Sequence, residues 1–91
     1  MKHLVYESDI ERYLVNRVKG LGGLCIKVGY DGLPDRLVLL PGGRVIWVEL
    51  KREDGRPSNL QLYWASQLRS TGQRVEMPYS KEDVDRILEN K

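Results

Sequence analysis

The 91-residue sequence is poor in several features that define large protein classes. It has one cysteine, Cys25, and one histidine, His3, which excludes an intramolecular disulfide and a zinc site built from cysteine and histidine. Its longest apolar run, at 37–41, is far shorter than the roughly 20 residues that cross a membrane. Residues 1–4 lack the apolar segment of a secretory signal. We therefore expect a protein of the reducing cytoplasm with no membrane partner.

The composition is that of a globular protein, with 41% apolar and 31% charged residues. This length suits one compact domain spanning 1–91 and is too short for two. The net charge of +2 permits an anionic partner without requiring one. Cys25 lies in an apolar stretch, so we expect a buried small hydrophobic side chain and not a reactive thiol.

Hydrophobic periodicity and turn residues predict seven elements. Helices are expected at 5–21, after Ser58 up to Gly72, and at 81–88 after Ser80. Strands are expected at 24–28, 36–40, 44–50 and 73–77. Ser58 and Gln61 have the capping-box pattern of a helix start. The order αβββαβα indicates an α/β fold with a small mixed four-stranded sheet flanked by helices.

Residues 45–51 of the third strand are apolar except for two charges at the end, so this strand is expected to be central and buried. Glu49 and Lys51 are two residues apart, so they lie on the same face of the strand. If 41–43 is a three-residue hairpin loop, a type I turn with Gly43 in the left-handed region, Asp35 lies directly opposite Glu49. Facing carboxylates repel unless a cation lies between them, and their oxygens suit Mg²⁺. The alternative is a structural ion cluster neutralised by Lys51 or Arg36.

The first helix carries two further acidic residues on or near its apolar face. At 100° per residue, Glu7 lies in the middle of the inward face, and Glu11 lies near its edge. A carboxylate on a buried stripe is unusual unless it is paired or binds a metal. Two alternatives stay open: Glu7 lies in a frayed first turn, or Ser8 caps the helix with Glu11 reaching back to the backbone. The inward face is otherwise formed by Ile10, Leu14, Val18 and Leu21.

These residues together resemble a nuclease family. The segment GLPDRLVLLPGGRVIWVELK, with an acidic helix before it and SNLQLYWASQLRSTGQRV after it, resembles the VRR-NUC branch of the PD-(D/E)XK nucleases, which have a restriction-endonuclease-like core. The resemblance implies that Asp35, Glu49 and the backbone carbonyl of Leu50 bind Mg²⁺ or Mn²⁺. It also implies that Lys51 orients the attacking water or stabilises charge on the phosphate. A helix glutamate, Glu7 in preference to Glu11, completes the implied site, and Gln61 lies nearby or serves only as a cap.

Basic and aromatic residues near this core are candidates for DNA contacts. The alternative for the loop at 52–57 is a solvated charged segment in which Glu53 and Asp54 cancel the basic side chains. Tyr30 is a candidate for stacking on a base, and packing is its alternative. Trp47 and Trp64 are expected in the core or at a subunit interface. The candidate basic contacts are Arg36, Arg44, Arg52 and Arg56.

The expected function is a metal-dependent, structure-specific DNA endonuclease for branched DNA such as four-way (Holliday) junctions, in a DNA-repair role. The cofactor would be Mg²⁺ or Mn²⁺, which activates water and polarises the phosphoryl oxygen. One active site on a short chain cuts two strands together only as a pair, so we expect a homodimer. Alternatives are an inactive DNA-binding module of the same fold and a restriction-type duplex endonuclease. A phage or bacterial setting is consistent with the resemblance.

Overall fold

A computed structural model describes residues 6–51 and 55–89. The predicted order αβββαβα and the mixed four-stranded sheet are confirmed. At most of the helix and strand ends, the predicted boundary differs from the observed one by one or two residues. The elements are α1 (Glu7–Gly20), β1 (Leu24–Lys27), β2 (Arg36–Leu40), β3 (Arg44–Val48), α2 (Asn59–Ser70), β4 (Arg74–Glu76) and α3 (Lys81–Glu89).

Helix α1 packs through a stripe with helical spacing. Three of its side chains are fully buried: Ile10, Leu14 and Val18. Leu21, predicted on the same face, is instead 41% exposed because the helix ends there and Leu21 is its C-cap. The N-cap is Tyr6, so Ser8 lies inside the helix, and the alternative in which Ser8 caps the helix is wrong. The predicted start of the helix at Val5 lies outside the described residues.

The sheet has the order β1-β2-β3-β4, antiparallel except for the parallel pair β3 and β4. Strand β3 is therefore central, as predicted. The hairpin pairs Leu40 with Arg44 across a three-residue loop, which confirms the predicted register. The turn itself differs from the prediction. Gly42 and Gly43 both have positive φ, 84° and 77°, and a type I turn would require a negative φ at Gly42.

The core lies between the sheet and the pair α1 and α3, while α2 packs beside β4. Cys25 is half-buried and packs against this core, and burial raises the pKa of its thiol. This position agrees with the predicted packing role. Among the described residues, no helix combines the length and apolar content needed to cross a membrane. The buried core residues are Ile10, Leu14, Val18, Val38, Leu40, Ile46, Val48, Leu50, Val84, Ile87 and Leu88.

The chain stays bonded to the β4 side after regular strand β3 ends at Val48. The Glu49 N–H donates to the Glu76 carbonyl at 2.9 Å, and the Lys51 N–H donates to the Pro78 carbonyl at 3.3 Å. The strand was predicted to reach Leu50, so its regular part is two residues shorter than expected. These bonds fix the charged end of the strand in place.

Candidate active site

Asp35 is held between β1 and the end of β3. The β2–β3 register pairs Arg36 with Val48, so Asp35 comes opposite Glu49, as predicted from the length of the hairpin loop. The Leu50 N–H donates to Asp35 Oδ2 at 2.9 Å, and the Asp35 carbonyl accepts from the Val28 N–H at 2.9 Å. The orientation of the Asp35 carboxylate is therefore fixed by backbone on its neighbouring strand.

Glu49 is a buried carboxyl with an unsatisfied oxygen. Its side chain is 1% exposed, and among the described residues Oε1 has no hydrogen-bond partner. Burial raises the pKa of Glu49 to about 8, helped by a hydrogen bond with Asp35 and by the charges of Asp35 and Glu7, while Lys51 opposes the shift. A buried acceptor without a donor is costly, and a bound cation would satisfy it.

Lys51 is buried beside these carboxyl groups and is bound by Gln61. Its Nζ donates to Gln61 Oε1 at 2.9 Å, and the residue is 8% exposed. The same Gln61 oxygen accepts the Ser58 N–H at 2.9 Å, and Ser58 Oγ accepts the Gln61 N–H at 3.1 Å. The sequence left a cap and a position near the site as alternatives for Gln61, and the structure shows the capping box together with the contact to Lys51. Ser58 was predicted only as a cap, and nothing in its spacing signals its link to Lys51.

The two acidic residues of α1 behave differently from each other. Glu7 is exposed in the first turn, and its charge helps to raise the pKa of Glu49, so it lies on the side of the site. Glu11 instead accepts from Arg36 Nε at 2.8 Å, in a half-buried ion pair. Within residues 6–51 and 55–89, no three acidic, histidine or cysteine side chains form a group able to hold a metal. The structure thus brings together Asp35 and Glu49. Metal binding by this pair, and by a carboxylate of α1 with it, stays a prediction.

The candidate DNA contacts are spread over different parts of the fold. Arg36 donates to Glu11 and to the Cys25 carbonyl, so it does not neutralise the carboxylate pair. Arg44 donates to the Leu88 carbonyl at the opposite end of β3, so its predicted position near the site is wrong. Arg56 is exposed just before α2, and Arg52 lies outside the described residues. The DNA contacts of Arg36, Arg52, Arg56 and Tyr30 stay predictions.

The donor atoms at this end of the sheet fit a divalent cation of the magnesium type. Asp35 and Glu49 supply carboxylate oxygens, and the chain between Glu49 and Lys51 supplies the Leu50 carbonyl. Hard cations prefer such oxygen ligands. Glu49 Oε1 has no partner within residues 6–51 and 55–89, and this favours a bound cation over a closed ion cluster.

Matches to known proteins extend over nearly the whole chain. No model of a known protein family matches the chain. A protein of Acyrthosiphon pisum secondary endosymbiont phage 1, named "Putative nuclease p44", is 38% identical over 88 residues, which are 93% of this chain and 94% of that protein. A solved structure described as "VRR_NUC domain" is similar with a TM-score of 0.86 and 33% identity, covering 94% of this chain and 98% of that one.

Proposed function

The chain belongs to the VRR-NUC family of nucleases, and from that premise we propose that it is an Mg²⁺- or Mn²⁺-dependent endonuclease of branched DNA. Four-way junctions are the substrate we expect it to prefer. The observation that carries the proposal is the buried Oε1 of Glu49 beside Asp35, which has no hydrogen-bond partner within the described part of the chain. When both carboxyl groups are ionised they repel each other, and a divalent cation between them would offset that repulsion.

Asp35, Glu49 and the Leu50 carbonyl are the groups that would hold the cation. When bound, it would lower the pKa of a water molecule and polarise a phosphoryl oxygen. The Leu50 N–H keeps the Asp35 carboxylate turned toward Glu49, so the ligands need little rearrangement. Burial of Glu49 excludes water from one side of the site, which strengthens electrostatic interactions there.

Lys51 supplies a compact positive charge for the scissile phosphate. Its Nζ has three donor positions, and one of them is used by Gln61 Oε1. That bond fixes the ammonium group near Glu49 while leaving two donors for phosphate oxygens. Such a preorganised charge stabilises the negative charge that develops in the transition state.

An apolar face of the sheet supports the proposed homodimer. Two rows of paired residues cross β1, β2 and β3, and several of their side chains are exposed. Leu24 is 61% exposed, Ile26 44% and Val45 39%. A second copy packing there would bury these side chains and bring a second active site to one junction. The two rows are Leu24, Leu39 and Val45, and then Ile26, Leu37 and Trp47.

The test is cleavage of matched DNA substrates by the purified chain. Linear duplex, flap, fork and four-way-junction DNA are incubated with Mg²⁺, with Mn²⁺ and with EDTA. We expect metal-dependent cleavage, fastest on the junction, and none by Asp35→Asn, which removes a ligand charge and little volume. Junction binding without cleavage under any metal would favour an inactive DNA-binding module. Preferred cleavage of linear duplex at fixed sequences would favour a restriction-type enzyme.

A further inference from the structure

Three aromatic side chains form an exposed cluster, which we call the aromatic platform: Tyr30, Tyr63 and Trp64. The ring centroids of Tyr30 and Trp64 are 5.8 Å apart, and those of Tyr63 and Trp64 are 5.4 Å apart. Both pairs are nearly perpendicular, at 86° and 78°, so neither tyrosine is stacked flat on the tryptophan. Tyr30 is 61% exposed and Tyr63 is 54% exposed. A large aromatic area next to Trp64 is therefore open to solvent.

The platform is held in place by close packing between a loop and a helix. At Gly32, a Cβ atom would come within 2.5 Å of Leu60 Cγ and 2.6 Å of Trp64 Cδ1, so the loop backbone lies directly on α2. The φ of Gly32 is +87°, which also favours glycine. The Leu33 N–H donates to the Tyr30 carbonyl at 3.2 Å and closes the turn that carries Tyr30.

The two elements that build the platform also build the active site. Trp64 lies three residues after Gln61, so the two are neighbours on α2, with Cβ atoms roughly 5–6 Å apart. Gln61 is the residue that binds Lys51. The loop with Tyr30 leads directly into Asp35. The platform is therefore continuous with the catalytic end of the sheet.

We propose that the aromatic platform binds unpaired nucleobases of the substrate by stacking on Tyr30 and Tyr63. The proposal rests on the function proposed above and adds that bases beside the cut leave the stack when the substrate binds, as bases at a branch point can. Aromatic rings stack on any base without sequence preference, and each tyrosine offers a rigid ring of this kind. Exposed Asp31, next to Tyr30, places a negative charge at the platform, so attraction to phosphate does not by itself account for the proposed binding.

The test compares DNA that has bases with the same backbone lacking them. Oligothymidine of about 12 nucleotides and an abasic strand of equal length are titrated against the full chain in EDTA, by fluorescence anisotropy. We expect the wild type to bind oligothymidine more tightly. Tyr30→Ala and Tyr63→Ala should each weaken that binding on the order of tenfold and leave the abasic strand unaffected. Leu62→Ala, which removes another exposed apolar side chain from α2, is the matched control and should change neither affinity.

Phenylalanine variants separate stacking from hydrogen bonding and guard against misfolding. Tyr30→Phe and Tyr63→Phe keep the ring and should bind like the wild type. Equal wild-type affinity for the two strands would overturn the proposal without any variant, as would a loss in the phenylalanine variants equal to that in the alanine variants. Because no metal or cleavage enters this test, it is independent of the proposed activity. A chain that cuts junctions without base preference overturns only this inference.

Discussion

Replacing Glu49 by glutamine should stabilise the metal-free protein near neutral pH. Glu49 is 1% exposed, and its pKa is raised from 4.5 to about 8, first by burial and then by Asp35. A carboxyl group whose pKa is higher in the folded state binds its proton more tightly there. Its contribution to stability is complete below about pH 4.5 and is lost as the pH rises toward 8.

The size of this effect follows from the shift. Each pH unit between the two pKa values changes the free energy of unfolding by about 1.4 kcal/mol, so roughly 3 kcal/mol is lost between pH 4.5 and 7. That is a large part of the 5–15 kcal/mol that is typical of a domain. Glutamine keeps the shape, does not ionise, and its amide N–H can donate to Asp35. We expect Glu49→Gln to match the wild type near about pH 5 and to exceed it by roughly 3 kcal/mol near pH 7.

The assay is urea unfolding followed by circular dichroism across this pH range, first in EDTA and then with Mn²⁺. The metal should stabilise the wild type, because it binds only the folded site, and should stabilise Glu49→Gln far less. Glu82→Gln, at an exposed carboxylate on α3, is the control and should follow the wild type at every pH. Stability curves of Glu49→Gln and wild type that run parallel, or equal stabilisation of both by Mn²⁺, would refute the reasoning.

Three further predictions concern the groups around the carboxylate pair. Lys51→Ala should lower the single-turnover cleavage rate by about 10²–10³-fold, and Lys51→Arg should recover little of it; a wild-type rate for Lys51→Arg would show that any positive charge suffices. Glu7→Gln should weaken Mn²⁺ binding measured by calorimetry. Glu11→Ala should lower the free energy of unfolding by about 1 kcal/mol, because the ion pair with Arg36 on β2 is lost, and should leave the Mn²⁺ affinity unchanged. The reverse pattern would make Glu11 the metal ligand on α1. Ser58→Ala should cost about 1 kcal/mol as a lost cap. Ser58→Pro fits the observed φ of −73° and also removes the N–H that donates to Gln61. At equal folded fraction it should cleave DNA more slowly than Ser58→Ala. Equal cleavage rates would mean that this N–H does not orient Gln61.

The register of the sheet could be predicted from the sequence, because it depends on loop length and not on turn type. The 41–43 loop pairs Leu40 with Arg44 and so brings Asp35 opposite Glu49. The predicted turn type was wrong, because Gly42 adopts a positive φ as well as Gly43. Two glycines allow several turn geometries of the same length, and each of them preserves the pairing. The central feature of the site was therefore predictable although a local detail was not.

The burial and the partners of Glu7 and Glu11 on α1 could not be predicted from their spacing in the sequence. The spacing of residues along α1 gives the direction in which each side chain leaves the helix, and it places Glu7 on the side of Glu49. Glu7 is nevertheless exposed, because it lies in the first turn, at the end of the helix. The partner of Glu11 is Arg36, 25 residues away, on a strand whose position relative to α1 depends on the whole fold. The local partner that spacing offered Glu11 was a capping box at Ser8, which does not form because the helix begins at Glu7.

Gln61 shows why two interpretations of one residue need not compete. The capping box requires its Oε1 to accept the Ser58 N–H, and Lys51 also requires an acceptor, so both donors select the same orientation of the amide. A carbonyl oxygen has two lone pairs and can satisfy both at once. The start of α2 and the position of the Lys51 ammonium are therefore set by a single atom. The capping box of α2, which is local in sequence, thus also orients the Lys51 ammonium group, ten residues before Gln61 and just after β3.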